Sequence, residues 1–308
     1  MIGHLNKQLI ARPIVGLDIG STVIKAVELN RSGDEILLRR ASFKIINGKP
    51  HIAHLVKELF GESGFKTKRV AMAVMSPETV VHPFSFHHVP KKELVGAVRI
   101  EAEHAMLNNS SLHDMALDWQ ALDSGSENTR GLLAVTPKKI ISQQTKMAKS
   151  IGLSPKVVDV GGLALWNAYW VLFGKKQNSS KTVLLLHIGA KTTHFALAKG
   201  PDELMLVRDI KLDTASLTSE SKNHWVSELY DSLSYARSKA GLRTLDTVYV
   251  SGGGVSPDLL VLLEATLQVP VISWNILDFV TWEPGTKPID RDLGPLFPIA
   301  FGLALRSL

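Results

Sequence analysis

Between Val15 and Lys25 the chain reads V-G-L-D-I-G-S-T-V-I-K, an apolar run into an aspartate, a Gly-Ser-Thr turn, and a second apolar run in which Lys25 is the first charge. These residue types at this spacing suit a phosphate. Gly20 lets the backbone turn without a Cβ, so its amide and those of Ser21 and Thr22 can converge on an anion, with two hydroxyls as further donors. Lys25 adds a point charge for a phosphate oxygen. Asp18 is placed to hold Mg²⁺ through water, because that hard cation prefers oxygen ligands and keeps much of its hydration shell. In isolation the same residues also read as an ordinary hairpin turn.

The pattern recurs. Leu185 to Ala196 reads L-L-H-I-G-A-K-T-T-H-F-A, and Gly189 stands to His187 as Gly20 stands to Asp18. Lys191, Thr192 and Thr193 are the candidate phosphate-holding residues of this second turn. A third stretch, Val248 to Gly254, reads V-Y-V-S-G-G-G before a helix opened by Pro257. Gly252, Gly253 and Gly254 allow the backbone to approach a flat or anionic ligand closely. Duplication at long spacing suggests two similar lobes facing one ligand.

In this order the three stretches resemble the phosphate-1, phosphate-2 and adenosine motifs of the actin, Hsp70 and sugar-kinase superfamily. Further stretches resemble the PilM family of type IV pilus assembly proteins: Val89 to Ala105 (V-P-K-K-E-L-V-G-A-V-R-I-E-A-E-H-A), A-V-T-P-K-K, G-L-S-P-K-V-V-D-V and A-L-W-N-A-Y between Leu133 and Tyr169, and the closing F-P-I-A-F-G-L-A-L-R. The resemblance runs over nearly the whole chain. It implies a two-lobed, actin-like (RNase-H-like) α/β fold with an inserted small α+β subdomain, and ATP or ADP with Mg as the possible cofactor. It also implies an adaptor that is cytoplasmic, at the inner face of the inner membrane. Its partner would be the cytosolic N-terminal peptide of a bitopic, PilN-like inner-membrane assembly protein, held by the inserted subdomain, with membrane association through that partner. Relatives in the superfamily polymerise, so an oligomer is a further implication.

Three departures weigh against a working nucleotide site. The phosphate-2 aspartate is replaced by His187, and a neutral imidazole is a poor outer-sphere partner for Mg²⁺. Lys211-Leu212-Asp213-Thr214 stands where the family has a Gly-Gly turn, and only Thr214 to Asn223 remains where it places a helical subdomain over the nucleotide. Phosphoryl transfer is mostly positioning and charge stabilisation around a metal, so nucleotide binding is expected to be weak or lost. Lys191 could neutralise phosphate in the metal's place, or be a plain exposed turn lysine. The alternatives are an active Mg-ATP-dependent switch ATPase of the same machinery and a small-molecule kinase; the latter lacks a catalytic aspartate that stands out.

The elements that must position these residues follow from periodicity. Strands are expected at Ile14 to Asp18, Val23 to Asn30, Ile36 to Ile46 and Val70 to Val74, with a helix at His51 to Gly61, so residues 1–76 form the first lobe. Residues 77–160 form the insertion, and the apolar helix Gly161 to Phe173 and residues 293–308 return to the first lobe. Residues 181–290 form a reduced second lobe, with strands at Thr182 to His187, Thr192 to Ala198, Leu204 to Leu212 and Val269 to Trp274. Asp278 to Pro288 reads as loop and Leu296 to Leu305 as helix.

Composition narrows the classes. With no cysteine among 308 residues there is neither a disulfide framework nor a thiolate metal site. The formal charge of +6 is scattered rather than gathered in a stripe, and aromatics are 6%, which argues against nucleic acid. Lys7, Arg12, Arg39 and Arg40 could favour an anionic surface, although ordinary solubilising charge is the simpler reading. The prefix Met1 to Arg12 is amphipathic but reads as a terminus, and His51 and His54 lack a third ligand at compatible spacing.

Overall fold

Val15–Ile19 (β1) and Val23–Ser32 (β2) form an antiparallel hairpin, and the chain turns again into Glu35–Ile45 (β3). In the computed structural model the described residues are 13–48, 51–74, 76, 78–87, 89–106, 112–124, 128–173, 181–200, 203–211, 219–239 and 241–308. The amphipathic prefix, most of the linker after Phe173 and the segment from Leu212 to Thr218 lie outside them. Helix α1, Ile52–Ser63, buries Ala53, Val56 and Leu59 at helical spacing against this sheet. Arg69–Val74 (β4) then runs parallel to β1.

The next segment builds Val80–His87 (β5), Leu94–Ala105 (α2), Met115–Ser124 (β6), Asn128–Pro137 (β7), Lys138–Ser150 (α3) and Ser154–Val160 (β8). Helix α4, Gly161–Phe173, follows. The second lobe comprises Thr182–Ile188 (β9), Thr192–Lys199 (β10), Glu203–Lys211 (β11), Ser219–Lys239 (α5), Thr247–Ser251 (β12), Pro257–Leu267 (α6) and Val271–Ser273 (β13). Thr281–Trp282 (β14) and Pro298–Ala304 (α7) complete the chain.

Two sheets result, in the orders β14-β3-β2-β1-β4-β8 and β13-β12-β9-β10-β11-β5-β7-β6. At the centre of each lies the same unit, an antiparallel three-strand meander whose first strand then takes parallel neighbours. This is the duplication that the sequence implied.

Two sequence expectations are corrected by the pairing. β8, expected within the insertion, is an edge of the first sheet beside β4, and α3 sends Ala148 into the core of Val56 and Leu59. Within residues 77–160, therefore, the strands and helix β5, α2, β6 and β7 stand outside the first lobe, and the strands extend the second sheet through the Val81–Val207 pairing of β5 with β11. The segment expected as loop after Asp278 contains β14, which pairs parallel with β3 at Leu37 and Leu38. A two-residue strand carries too little periodicity to be read from sequence.

That late strand is anchored by charge. Arg39 donates from Nε and one Nη to Glu283 at 2.6 and 2.9 Å, and Asn30 donates to the same carboxylate at 2.7 Å. The Arg39 hydrogen bond outweighs partial desolvation and, with Asn30, lowers Glu283 to about 2. A carboxyl depressed by folding contributes stability above its unfolded value near 4.5 that is lost as pH falls toward 2. The expected outcome is that thermal midpoints measured across that window fall less steeply in Arg39→Met than in the parent.

Helices α4 and α7 form the joint between the lobes. α4 is apolar nearly all round and contributes Leu163, Leu165, Trp166 and Tyr169 to a core that reaches β9, β10, β11 and β12. α7 lies between α4 and β1. A Cβ on Gly302 would stand 1.8 Å from Ala164 O, so glycine is what lets the two helices approach. Beyond α7, Arg306 Nε donates to Asp159 Oδ2 at 2.7 Å, tying the chain's last turn to the end of β8.

Candidate functional site

The two glycine turns fold as one design used twice. In the first, Ile19 pairs with Ile24 and Asp18 with Lys25; in the second, Ile188 pairs with Thr193 and His187 with His194. Gly20 N–H donates to Val23 O at 3.1 Å, and Gly189 N–H to Thr192 O at 3.0 Å. These amides close their own turns, so neither points at an anion as the sequence reading expected of Gly20. Ser21, Thr22 and Lys191 are exposed at the turns, and Thr192 is half-buried. Thr193 is fully buried and accepts a hydrogen bond from Trp225 Nε1 at 3.2 Å.

Directly opposed residues of an antiparallel pair project from the same face, which brings Lys25 onto Asp18. The Lys25 ammonium lies 2.5 Å from Asp18 Oδ2, with side chains 8% and 2% exposed. It is off the carboxylate's hydrogen-bond direction, so the contact is an ion pair more than a directed bond. Lys25, expected as a free charge for phosphate, instead neutralises the motif's own carboxylate.

The second hairpin holds two histidines in place of this pair. His187 Nδ1 and Ser251 Oγ, opposite each other in β9 and β12, are 3.0 Å apart. His194 Nδ1 lies 2.6 Å from Asp209 Oδ1, again a directly opposed pair in β10 and β11. Burial pushes His187 well below the usual imidazole range, and the positive charge of Lys25 and then His194 push the same way. For His194 burial also disfavours charge, but Asp209, by its charge and hydrogen bond, together with Asp18 overcomes it and raises the imidazole. That Lys25 acts on both histidines, and Asp18 on His194, places the two hairpins near each other across the lobes. The His194 ring also packs on the joint from β8 into α4, where a Cβ on Gly161 would fall 2.7 Å from it.

The glycine-rich joint after β12 sits on the second hairpin. Gly252 has φ +104°, and its would-be Cβ is 2.3 Å from Ile188 O. Its N–H donates to Pro295 O at 2.8 Å and that of Gly254 to Ile188 O at 2.8 Å. Leu296 reaches within 3.1 Å of the would-be Cβ of Gly253. Close backbone approach is therefore realised, but by the chain itself.

His194, Asp209 and Ser251 were not singled out by the motif reading. One signal was present: His194 follows His187 at the interval that separates Lys25 from Asp18. Asp209 and Ser251 follow only from strand register. Mg²⁺ does not fit this arrangement. Asp18 is already paired with an ammonium, a neutral imidazole occupies the second position, and no cluster of three or more His, Asp or Glu side chains suited to a metal occurs among the described residues.

A family model described as type IV pilus assembly protein PilM matches residues 16–231. Among solved structures, the chain is similar to a PilM-PilN type IV pilus biogenesis complex, at 24% identity and a TM-score of 0.80, covering 96% of this chain and 99% of that one. It is also similar to a Bacteroides thetaiotaomicron protein with an actin-like ATPase fold and unknown function, at 10% identity and a TM-score of 0.50, covering 89% and 96%. These likenesses show the actin-like α/β fold.

Proposed function

The chain belongs to the PilM family of type IV pilus assembly proteins, and from that premise we propose that it is a cytoplasmic adaptor. It binds the cytosolic N-terminal peptide of a PilN-like, bitopic inner-membrane protein, and it reaches the inner face of that membrane through this partner. The observation that carries the reading is the likeness in fold, over nearly the full length of both chains, to a structure described as a PilM-PilN complex. Among the described residues no helix is long and apolar enough to cross a membrane, in keeping with attachment through a partner.

The proposed groove belongs to the insertion. Its helix α2 packs Leu94, Val98 and Ala102 onto the β5-β7-β6 extension while leaving Val95 and Ile100 55% and 57% exposed. Exposed apolar side chains on a helix beside a sheet offer anchors for an extended peptide, with selectivity coming from alternate side chains. Isothermal titration of the purified chain against synthetic N-terminal segments of PilN-like proteins encoded beside it should give saturable, stoichiometric binding that is the same in EDTA and in Mg-ATP. Failure of every such segment to bind would overturn the adaptor reading.

A second reading, the Mg-ATP switch, is favoured by the exposed Ser21, Thr22 and Lys191 at the two turns. In it Asp18 organises the metal, and Gly252 to Gly254 receive the adenosine. It requires magnesium-dependent turnover that vanishes in Asp18→Ala.

A further inference from the structure

Charge that lies scattered along the sequence is gathered on one face by α3. Its thirteen residues carry Lys138, Lys139, Lys146 and Lys149 and no carboxylate. At 3.6 residues per turn the four lysines fall within about 100° of arc. All four are exposed, and the exposed residues beside them, Gln143 and Ser150, are polar. Ile140, Met147 and the buried Ala148 take the other side and pack into the first lobe. Among the described residues, Lys139, Lys146 and Lys149 form no ion pair.

The neighbourhood keeps this face positive. Leu153 N–H donates to Ala148 O at 3.0 Å and Ser154 N–H to Lys68 O at 2.8 Å, so the loop bearing the exposed Lys66 and Lys68 lies beside the C-terminal end of α3. The acids of the adjoining α1 are already engaged, since Glu58 and Glu62 each lie 2.8 Å from Lys44 Nζ. The charge is least bare at the other end, where Lys138 donates to His113 O next to the exposed Asp114. Helix stability does not account for the pattern. Lys138 and Lys139 stand in the first turn, where the helix dipole disfavours cations, and no acid offsets them there.

The chemistry of the face selects its partner. It is built of lysines, which are hydrated point charges on flexible stems, with no arginine fork on α3 or on the loop of Lys66 and Lys68. None of the exposed large hydrophobic side chains lies on either segment. A protein partner would want aromatic or arginine anchors, and a single-stranded nucleic acid would want stacking platforms. Diffuse anionic headgroups need neither. We propose that the lysine face of α3 docks on an anionic lipid bilayer, giving the chain a second membrane contact beside its peptide partner. The proposal rests on the adaptor reading only for which surface lies within reach. A weak electrostatic contact suffices there, because a tether to the membrane raises the effective concentration of the face at the bilayer.

The test is flotation of the purified full chain with vesicles of phosphatidylcholine alone and of phosphatidylcholine mixed with phosphatidylglycerol, with no peptide present. Binding should appear only with the anionic lipid and should fade as salt is raised. The triple substitution Lys139→Gln, Lys146→Gln and Lys149→Gln should weaken it by about tenfold or more. A control with the same loss of net charge replaces the exposed Lys199, Lys211 and Lys287 by glutamine. The first two lie in the second sheet and the third follows β14, at the opposite edge of the first sheet from β8. This control should bind within about twofold of the parent, because charges beyond a Debye length are screened. Equal binding of the parent to both kinds of vesicle overturns the proposal, and so does an equal loss in the two triple variants. Binding of the parent to a DNA duplex or to polyglutamate, but not to anionic vesicles, also overturns it. The α3 variant should still titrate with PilN-like segments as the parent does, so loss of the lipid contact and loss of the peptide contact are read separately. The parent measurement decides the matter even if a variant fails to fold.

Discussion

Gly302→Ala should remove about 3 kcal/mol or more of folding stability, the upper end of what overpacking costs. The added methyl would sit 1.8 Å from Ala164 O, and both sides of the clash are helix backbone, so no change of rotamer relieves it. Nor can α7 back away, because on its other side a Cβ at Gly16 would already be 1.9 Å from Ala300 O. Against a typical total of about 5–15 kcal/mol, such a loss approaches the threshold for folding at all. Urea unfolding followed by circular dichroism should show a much reduced midpoint or no cooperative transition. Gly61→Ala, in α1, has open space around the new methyl and should shift the midpoint the other way, by up to about 1 kcal/mol. Equal effects at the two glycines would refute the close-crossing account.

Arg306→Met is expected to be nearly as damaging, for an electrostatic reason. The guanidinium meets Asp159 Oδ2 from Nε and Nη2 at 2.7 and 2.6 Å, and the two side chains are only 10% and 1% exposed. Removing one partner strands a buried carboxylate, which costs about 3–5 kcal/mol, whereas removing both leaves much less to solvate. Arg306→Met with Asp159→Asn should therefore be more stable than Arg306→Met alone, by about 0.5–3 kcal/mol of coupling in a double-mutant cycle. Asp159 also accepts the Val160 N–H at 2.8 Å, a bond that asparagine can keep through its carbonyl oxygen. If the two substitutions simply add, the pair is not what fastens the chain's last turn to β8.

How much of this was legible in the sequence depended on whether the signal was local. Asp18 to Lys25 and His187 to Thr193 announced two hairpins because turn chemistry and strand alternation are short-range. The helix at His51 to Gly61 was equally readable from the spacing of Ile52, Leu55, Val56 and Leu59. Sheet membership was not. β8 reads as a strand from Lys156 to Val160, but nothing within it says that its neighbour is β4 rather than an element of the insertion. The site shows the same division. His187 in place of aspartate was visible, while the placing of Lys25 on Asp18 and of Asp209 on His194 needed the register of two strand pairs. Motifs name the residues at a site, and register decides which of them answer each other.

The return of β14 and α7 to the first sheet has a consequence for the order in which this protein can be made. The second lobe's central strands, β9 to β13, come from one continuous stretch and can pair as soon as it is synthesised. The first lobe cannot finish early. Its β3 waits for Thr281 and Trp282, and the groove over Gly16 waits for α7. Domains generally fold as units while the chain emerges, the N-terminal one first. Here the N-terminal lobe is completed last, after the lobe that follows it, and a chain ending before Pro298 would carry a second lobe with all its strands joined to a first lobe with its core open along β1.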